Sequence, residues 1–412
     1  MRGLFFQQPT HMTVQAPHKN PAPPPTPEGD IAWFYNPKVR GIASQVIVVL
    51  LLAWGLYEII GNTQANLKKL NQNFGFDFLT QAAGFDLSTS LVSYSSSSTY
   101  GRALVVGLLN TLIVAILGII FATVIGFVVG VMRLSNNKVV SGAATLYVEI
   151  VRNVPLLLQI FMWYALVLKP LPGPKQALNF LDSVFISNRG IIMPHPNFGS
   201  GAWIALLFLL LALVGTWQFR KRARKRQDET GEITPLWLIS VPIIVLSPFF
   251  GLLVAGWPLN FDFPALTGFN FTGGMTIVPE MMALLLALSI YTASFIAETV
   301  RGGILAVSHG QSEASSALGL SRGNALRLVI IPQAMRVIIP PLASQYLNLT
   351  KNSSLAIAIG FPDFMYSGGT VINQSGKAIE VVFILMVVYL SLSLLTAAFM
   401  NWFNARVKLV ER

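Results

Sequence analysis

Residues 103–132 run for 30 positions without a single Asp, Glu, Lys or Arg. As a helix this stretch would be about 45 Å long, against a bilayer hydrocarbon core of about 30 Å, so it has to tilt or project. Within it, Gly126 and Gly130 form a G-x-x-x-G face suited to close helix packing. Further apolar segments fall at 42–60, 202–217, 236–257, 281–297, 336–349 and 380–403, and another rises through Glu149, Arg152, Asn153 and Pro155 to Leu168. The spacing predicts an all-α polytopic membrane protein of about eight transmembrane helices. Composition agrees: 53% of residues are hydrophobic and only 11% charged, where a soluble domain carries about 25% charged residues.

The charges that remain report orientation. A net charge of +11 would suit nucleic acid if it formed one patch, but the basic residues sit in short loops beside apolar runs. Six of them fall between Arg220 and Arg226, and Arg133 and Lys138 mark another turn. By contrast, 169–201 has three basic residues in 33 positions and 258–279 has none. These alternations place the dense clusters in the cytoplasm, and an even number of spans puts both termini there. Residues 1–40, with PAPPPTP at 21–27, read as a disordered cytoplasmic tail. Residues 41–102 then hold the first span, uncleaved and flanked by Lys38 and Arg40, and a periplasmic loop. In that loop Phe74, Phe76 and Phe78 alternate as a short strand would, or lie in the membrane interface.

Catalytic chemistry has no foothold. There is no cysteine, the four histidines are not paired as metal ligands, and no paired-carboxylate, nucleophile-elbow or phosphate-loop pattern occurs. No cofactor and no metal are expected. Glu149 and Arg152, and again Glu298 and Arg301, stand three apart, a spacing that lets each pair close across one helical turn.

The exception to the apolar pattern is QSEASSALGLSRGNALRLVIIP at 311–332. Ser308 and Gln311 have capping-box spacing, so a short helix is expected to start there with Glu313 in its first turn. Gly319 should stop it in a positive-φ conformation, and Ser321 should cap a second short helix that carries Arg322 and Arg327 and meets Pro332. The small residues Ala314, Ser315, Ser316 and Ala317 leave a knob fit for a cleft on a partner.

This stretch resembles the cytoplasmic loop signature of the permease subunits of ABC importers, E-A-A-x-x-x-G, nine residues, then I-x-L-P. Here it reads Glu313, Ala314, Ser315, Gly319, Val329, Ile331 and Pro332, with Ser for the second Ala, Val for Ile and Ile for Leu. RNVPLLLQIF at Arg152, Pro155 and Gln159, AETVRGGI before the loop and LTKNSSLAIAIG after it resemble the polar-amino-acid branch of that family. The length of the chain and its extra hairpin resemble one of the two permease subunits of bacterial general L-amino-acid importers. The resemblance implies a five-helix, MetI-like core within 103–412, an inserted hairpin at about 202–257 and a coupling loop at 302–336. It further implies an inner-membrane importer of L-amino acids in which ATP hydrolysis belongs to a separate subunit. The implied partners are a second homologous permease, a cytoplasmic ATPase dimer docked through Glu313, Ala314, Ser315, Gly319 and Pro332, and a periplasmic amino-acid-binding protein. An ABC permease for another small solute such as an osmolyte is the alternative, followed by a secondary carrier, for which no internal repeat is evident.

A charge inside a bilayer is retained when it points at water, a partner or a substrate. Lys351 therefore marks a substrate path, with Gln159, Gln345, Asn348, Asn352, Ser353 and Ser354 as its other candidate residues; the alternative is that Lys351 snorkels to the outer interface.

Overall fold

The structure, a computed structural model, describes residues 37–69, 74–231 and 234–407. It divides into two units, one ending at Phe74 and the other spanning Gly75–Arg412. The expected tail lies outside the described residues up to position 36; residues 37–40 already belong to a helix. That helix, α1 (Pro37–Lys69), is longer at both ends than the 42–60 segment and is long and apolar enough to cross a membrane.

The second unit is built on α2 (Tyr100–Met132) and α7 (Pro279–Leu305), which run in the same direction in close contact. Their approach is set by glycine. A Cβ on Gly126 would lie 2.6 Å from Ile296 Cβ, and one on Gly130 would lie 2.7 Å from Val300 Cβ. The G-x-x-x-G face thus brings the α2 backbone against α7, as its spacing predicts. α10 (Ile331–Asn352) packs against both: Gly303 of α7 leaves room for Ile338, and Gly118 of α2 faces Leu349. The buried side chains Val114, Leu284, Leu288, Ile296, Ile338 and Leu349 make the core of this three-helix layer.

A second cluster sits at the other end of α2. Phe78, Tyr100 and Leu104 pack on Phe364 and Val371 of α11 (Phe364–Ser375) and on Leu385 of α12 (Ala378–Val407). Neither expectation for the alternating phenylalanines holds at Phe78: Asp77–Thr80 is a single 3-10 turn, and Phe78 is buried in this cluster. Alternation along sequence cannot show that the chain folds back over a helix end.

The segment expected as one span from Glu149 to Leu168 is broken. α3 (Lys138–Asn153) and α4 (Leu156–Phe161, continued in π register over Met162–Leu168) meet at 105°. Pro155 is the cause: it has no N–H to donate and forces Val154 into extended backbone, φ −95° and ψ 126°. The described residues contain seven helices able to cross a bilayer, eight if this bent pair counts as one.

The extra hairpin is α5 (Trp203–Thr230) and α6 (Leu236–Val254). The two stretches flanking it, read as plain loops, instead form short strands. β1 (Leu178–Phe180), β2 (Val184–Ser187), β3 (Gly190–Met193) and β8 (Met275–Ile277) make an antiparallel sheet; β4 (His195–Phe198) pairs with β5 (Leu259–Asp262), and β6 (Ala265–Thr267) with β7 (Asn270–Thr272). The β3–β8 and β4–β5 ladders join the stretch before the hairpin to the one after it. Strands of three or four residues leave almost no periodicity to read, and partners such as Ile191 and Ile277 lie 86 positions apart.

Candidate functional site

Between α7 and α10 the chain leaves the helical layer to form α8 (His309–Ala317). Ser308 is its N-cap residue, but the expected capping box is not made: the Ser308 side chain bonds no helix N–H, and the Gln311 carboxamide oxygen accepts from Gln333 Nε2 at 3.1 Å. Glu313 falls in the second turn rather than the first, where it meets His309 Nδ1 at 3.1 Å with both side chains largely exposed. The helix ends as expected. Gly319 has φ +75°, and Leu320 N–H reaches back to the Ser315 carbonyl at 3.1 Å, a Schellman-type closure.

The knob has two sides. Ser315 is buried, its hydroxyl donating to the Gln311 carbonyl at 2.6 Å, whereas Glu313, Ala314, Ala317 and Leu318 are exposed. Behind the knob a cavity of about 1120 Å³ separates α8 from the α2–α3 turn, lined by Asn136, Asn137, Val140, Ser312 and Ser316 among others.

Ser321 caps the next turn, accepting from Asn324 N–H at 3.4 Å, and opens α9 (Arg322–Ala325). The second helix does not stop at Pro332. It passes through a π-helical turn, Leu326–Ile330, straight into α10. Proline at 332 cannot donate to a carbonyl one turn back, and widening the turn before it absorbs that loss without a break. The 309–332 segment is therefore one short helix, α8, followed by the long N-terminal extension of a membrane helix.

The path candidates divide into three groups. Asn348 and Lys351 are exposed and Gln345 and Asn352 half-buried; with exposed Pro341 and Ser344 they occupy one arc of α10, a polar stripe on a helix otherwise apolar enough to span. Ser353 and Ser354 sit where α10 tightens into the 3-10 turn Ser353–Ile359, and their hydroxyls donate to the carbonyls of Thr350 at 2.7 Å and Lys351 at 2.8 Å. Gln159 is elsewhere. It is 5% exposed, and its Nε2 donates to the carbonyls of Val151 at 2.8 Å and Val154 at 2.9 Å, supplying the donors that the Pro155 break removes.

The Glu149–Arg152 pairing is not formed. The Arg152 guanidinium lies over the Phe295 ring at 4.9 Å. Glu298 and Arg301 do pair, at 2.6 Å, and the same carboxylate also binds Arg133 from the end of α2. Sequence spacing showed the local half of this trio; Arg133, 165 positions away from Glu298, looked like an orientation charge only.

At the opposite end of α2, Asn110 Nδ2 donates to the carbonyls of Thr89 at 3.0 Å and Pro362 at 2.8 Å, and Thr111 Oγ1 accepts from Phe364 N–H at 3.0 Å. They hold a turn that buries Asp363, the N-cap of α11, whose Oδ1 accepts from Tyr366 N–H at 2.8 Å. Burial pushes the Asp363 carboxyl up to about 7, its accepted hydrogen bonds offsetting part of the rise.

A glycine-packed set of long apolar helices, one of them with a polar stripe and a short exposed helix leading into it, has the build of an integral-membrane helical protein. Comparison with known proteins makes this specific. Residues 223–409 match the family described as the inner membrane component of binding-protein-dependent transport systems. The chain is 51% identical over 379 residues to the general L-amino acid transport system permease protein AapQ of Rhizobium johnstonii, covering 92% of this chain and 95% of that one. It is 47% identical to the putative amino-acid ABC transporter permease YhdX of Escherichia coli K12, covering 92% and 97%, respectively. To the glutamate/glutamine/aspartate/asparagine permease BztB of Rhodobacter capsulatus it is 42% identical, covering 92% and 96%. The chain belongs to the amino-acid branch of the ABC-importer permeases: a multi-pass inner-membrane protein and a transport subunit, with ATP hydrolysis on a separate chain.

Proposed function

We propose that this chain supplies one half of the membrane pathway of an L-amino-acid importer, paired with a second, homologous permease, fed by a periplasmic binding protein and driven by an ATPase dimer bound to α8. The observation that carries the reading is the exposed face Glu313–Ala314–Ala317–Leu318. It is held away from the helical layer, closed by a glycine at φ +75°, and followed by a helix that runs continuously into α10. A push on α8 passes through the short turn at residues 318–321 into a helix that is continuous with α10.

The polar stripe of α10 supports the placement of the pathway. Asn348 and Lys351 would be costly against lipid and are suited to a water-filled seam between two permeases. Lys351 and Asn348 offer donors to a carboxylate, the group every amino acid carries. In this reading Gln159 shapes the pathway by holding the break at Pro155, and Ser353 and Ser354 hold the turn beside it. Both termini and α8 lie in the cytoplasm, the strands in the periplasm.

The test uses the reconstituted complex. Gly319→Val, which must adopt a left-handed backbone at a cost of about 1–2 kcal/mol, is expected to abolish stimulation of ATP hydrolysis by the loaded binding protein while membrane insertion persists. Gly319→Asp should be milder, because Asp tolerates this conformation better. Among the described residues nothing lies within 4 Å of a Cβ at this glycine, so the lesion is one of backbone and not of packing. Normal stimulation and uptake in Gly319→Val would remove α8 from the coupling role.

A further inference from the structure

The densest run of positive charge lies on α5, and neither the coupling segment nor the α10 stripe uses it. Arg220, Lys221, Arg222, Arg224, Lys225 and Arg226 are all exposed. At about 100° per residue they point to about 0°, 100°, 200°, 40°, 140° and 240° around the helix axis. The gap, centred near 300°, belongs to Ala223, which is 8% exposed. The cations therefore surround this turn of α5 on every side except the one the protein itself covers.

Their depth is defined as well. The charge-free part of α5, residues 203–219, is about 25 Å long as a helix, close to the bilayer core of about 30 Å. The six cations fill the next ~9 Å, comparable with the roughly 5–8 Å of headgroups on each side. Exposed Trp217 and Phe219, with Trp237 at the start of α6, mark the same level, as aromatic belts do. Arg220 Nε contacts Ser240 Oγ at 3.3 Å, which fixes the register of α5 against α6. Beyond the collar come Asp228 and Glu229, and the Lys225–Glu229 contact, at 3.8 Å with both side chains exposed, neutralises little.

We propose that residues 220–226 form a collar that binds the phosphate groups of anionic phospholipids in the leaflet at that end of the hairpin. A protein partner docks on one side of a helix and leaves the other sides to solvent; charge spread over about 240° of circumference matches a ligand that surrounds the helix, and headgroups do so. The Arg side chains can grip phosphate oxygens through paired N–H groups, while their apolar stems lie along the hydrocarbon edge. The collar rests on the membrane topology and not on the role of α8, so each can fail alone.

The test compares wild type with the fourfold variant Lys221→Gln, Arg222→Gln, Arg224→Gln, Lys225→Gln, which keeps Arg220 and Arg226 as orientation charges. Whole complexes are purified from native membranes, and retained phosphatidylglycerol is counted by native mass spectrometry. They are then reconstituted in phosphatidylcholine vesicles with and without phosphatidylglycerol. Wild type should retain phosphatidylglycerol, prefer it by about fivefold for each of the four cations at low salt, and lose the preference as ionic strength rises. The variant should insert and keep its ATPase subunit, but retain less phosphatidylglycerol and lose the share of the preference that the four removed cations supply. Equal retention in wild type and variant overturns the proposal. So does loss of the ATPase subunit from the variant with lipid retention unchanged, which would assign the collar to a protein contact.

Discussion

Replacing Gly126 by Ala tests the contact on which the helical layer rests. The added Cβ would sit 2.6 Å from both Cβ and Cγ2 of Ile296 and 3.0 Å from the Ala293 carbonyl oxygen. Carbon atoms prefer a separation of about 3.5–4.0 Å, so α2 and α7 must part by about 1 Å at this level. Neither obstacle is a flexible side-chain tip: one is a β-branched centre, the other backbone. Overpacking of this kind costs about 1–3 kcal/mol. Because α2 and α7 form the most extensive helix–helix contact among the described residues, the loss should appear as a drop of several degrees in the thermal midpoint of the purified complex. Gly142→Ala on α3 is the control. Among the described residues nothing lies within 4 Å of its Cβ, and alanine is the better helix former by about 1 kcal/mol. The adjacent pair Gly302 and Gly303 repeats the experiment on α7: Gly303→Ala meets Ile338, while Gly302→Ala meets nothing within 4 Å. Equal midpoints for Gly126→Ala and Gly142→Ala would refute the claim that glycine sets the α2–α7 distance.

Four further outcomes are expected. Glu298→Gln leaves the Arg133 and Arg301 guanidiniums facing one neutral partner; Arg133 is only 9% exposed, so a loss of about 1–3 kcal/mol is expected, read as earlier thermal inactivation of the complex, and inactivation no earlier than wild type would make the trio dispensable. Asp363 has a carboxyl raised from 3.8 to about 7, so the folded protein favours its protonated form; this contribution is fully present below pH 3.8 and lost as pH rises through about 7. Asp363→Asn should flatten that decline in a midpoint-against-pH series, and an unchanged slope would assign it to another group. Lys351→Met should assemble normally but cut uptake of neutral amino acids, and normal uptake would leave Lys351 as an interfacial charge. Reporter fusions near Arg224 and Ser315 should read as cytoplasmic, and those near Asn188, Asn270 and Gly368 as periplasmic; a cytoplasmic signal at Asn270 would break the topology.

What the sequence determined alone is what depends on neighbours within a turn or two. The charge-free run at 103–132, the G-x-x-x-G spacing of Gly126 and Gly130, the left-handed stop at Gly319 and the family signature that ends at Pro332 are all local. In a membrane such local patterns carry unusual weight, because backbone groups in lipid must be satisfied within the segment itself. Tertiary structure decided what links distant positions or breaks a run from inside. Gln159 carries the same polar amide whether it lines a path or caps the carbonyls of Val151 and Val154, and only the 105° turn at Pro155 selects the second. Arg133 joins Glu298, Phe78 enters the core, and β3 finds β8 for the same reason: the partner is far away in sequence. Which of two bent or straight courses a proline imposes also depends on what can satisfy the orphaned carbonyls. At Pro155 a glutamine side chain does, and the helix breaks; at Pro332 a widened turn does, and the helix continues.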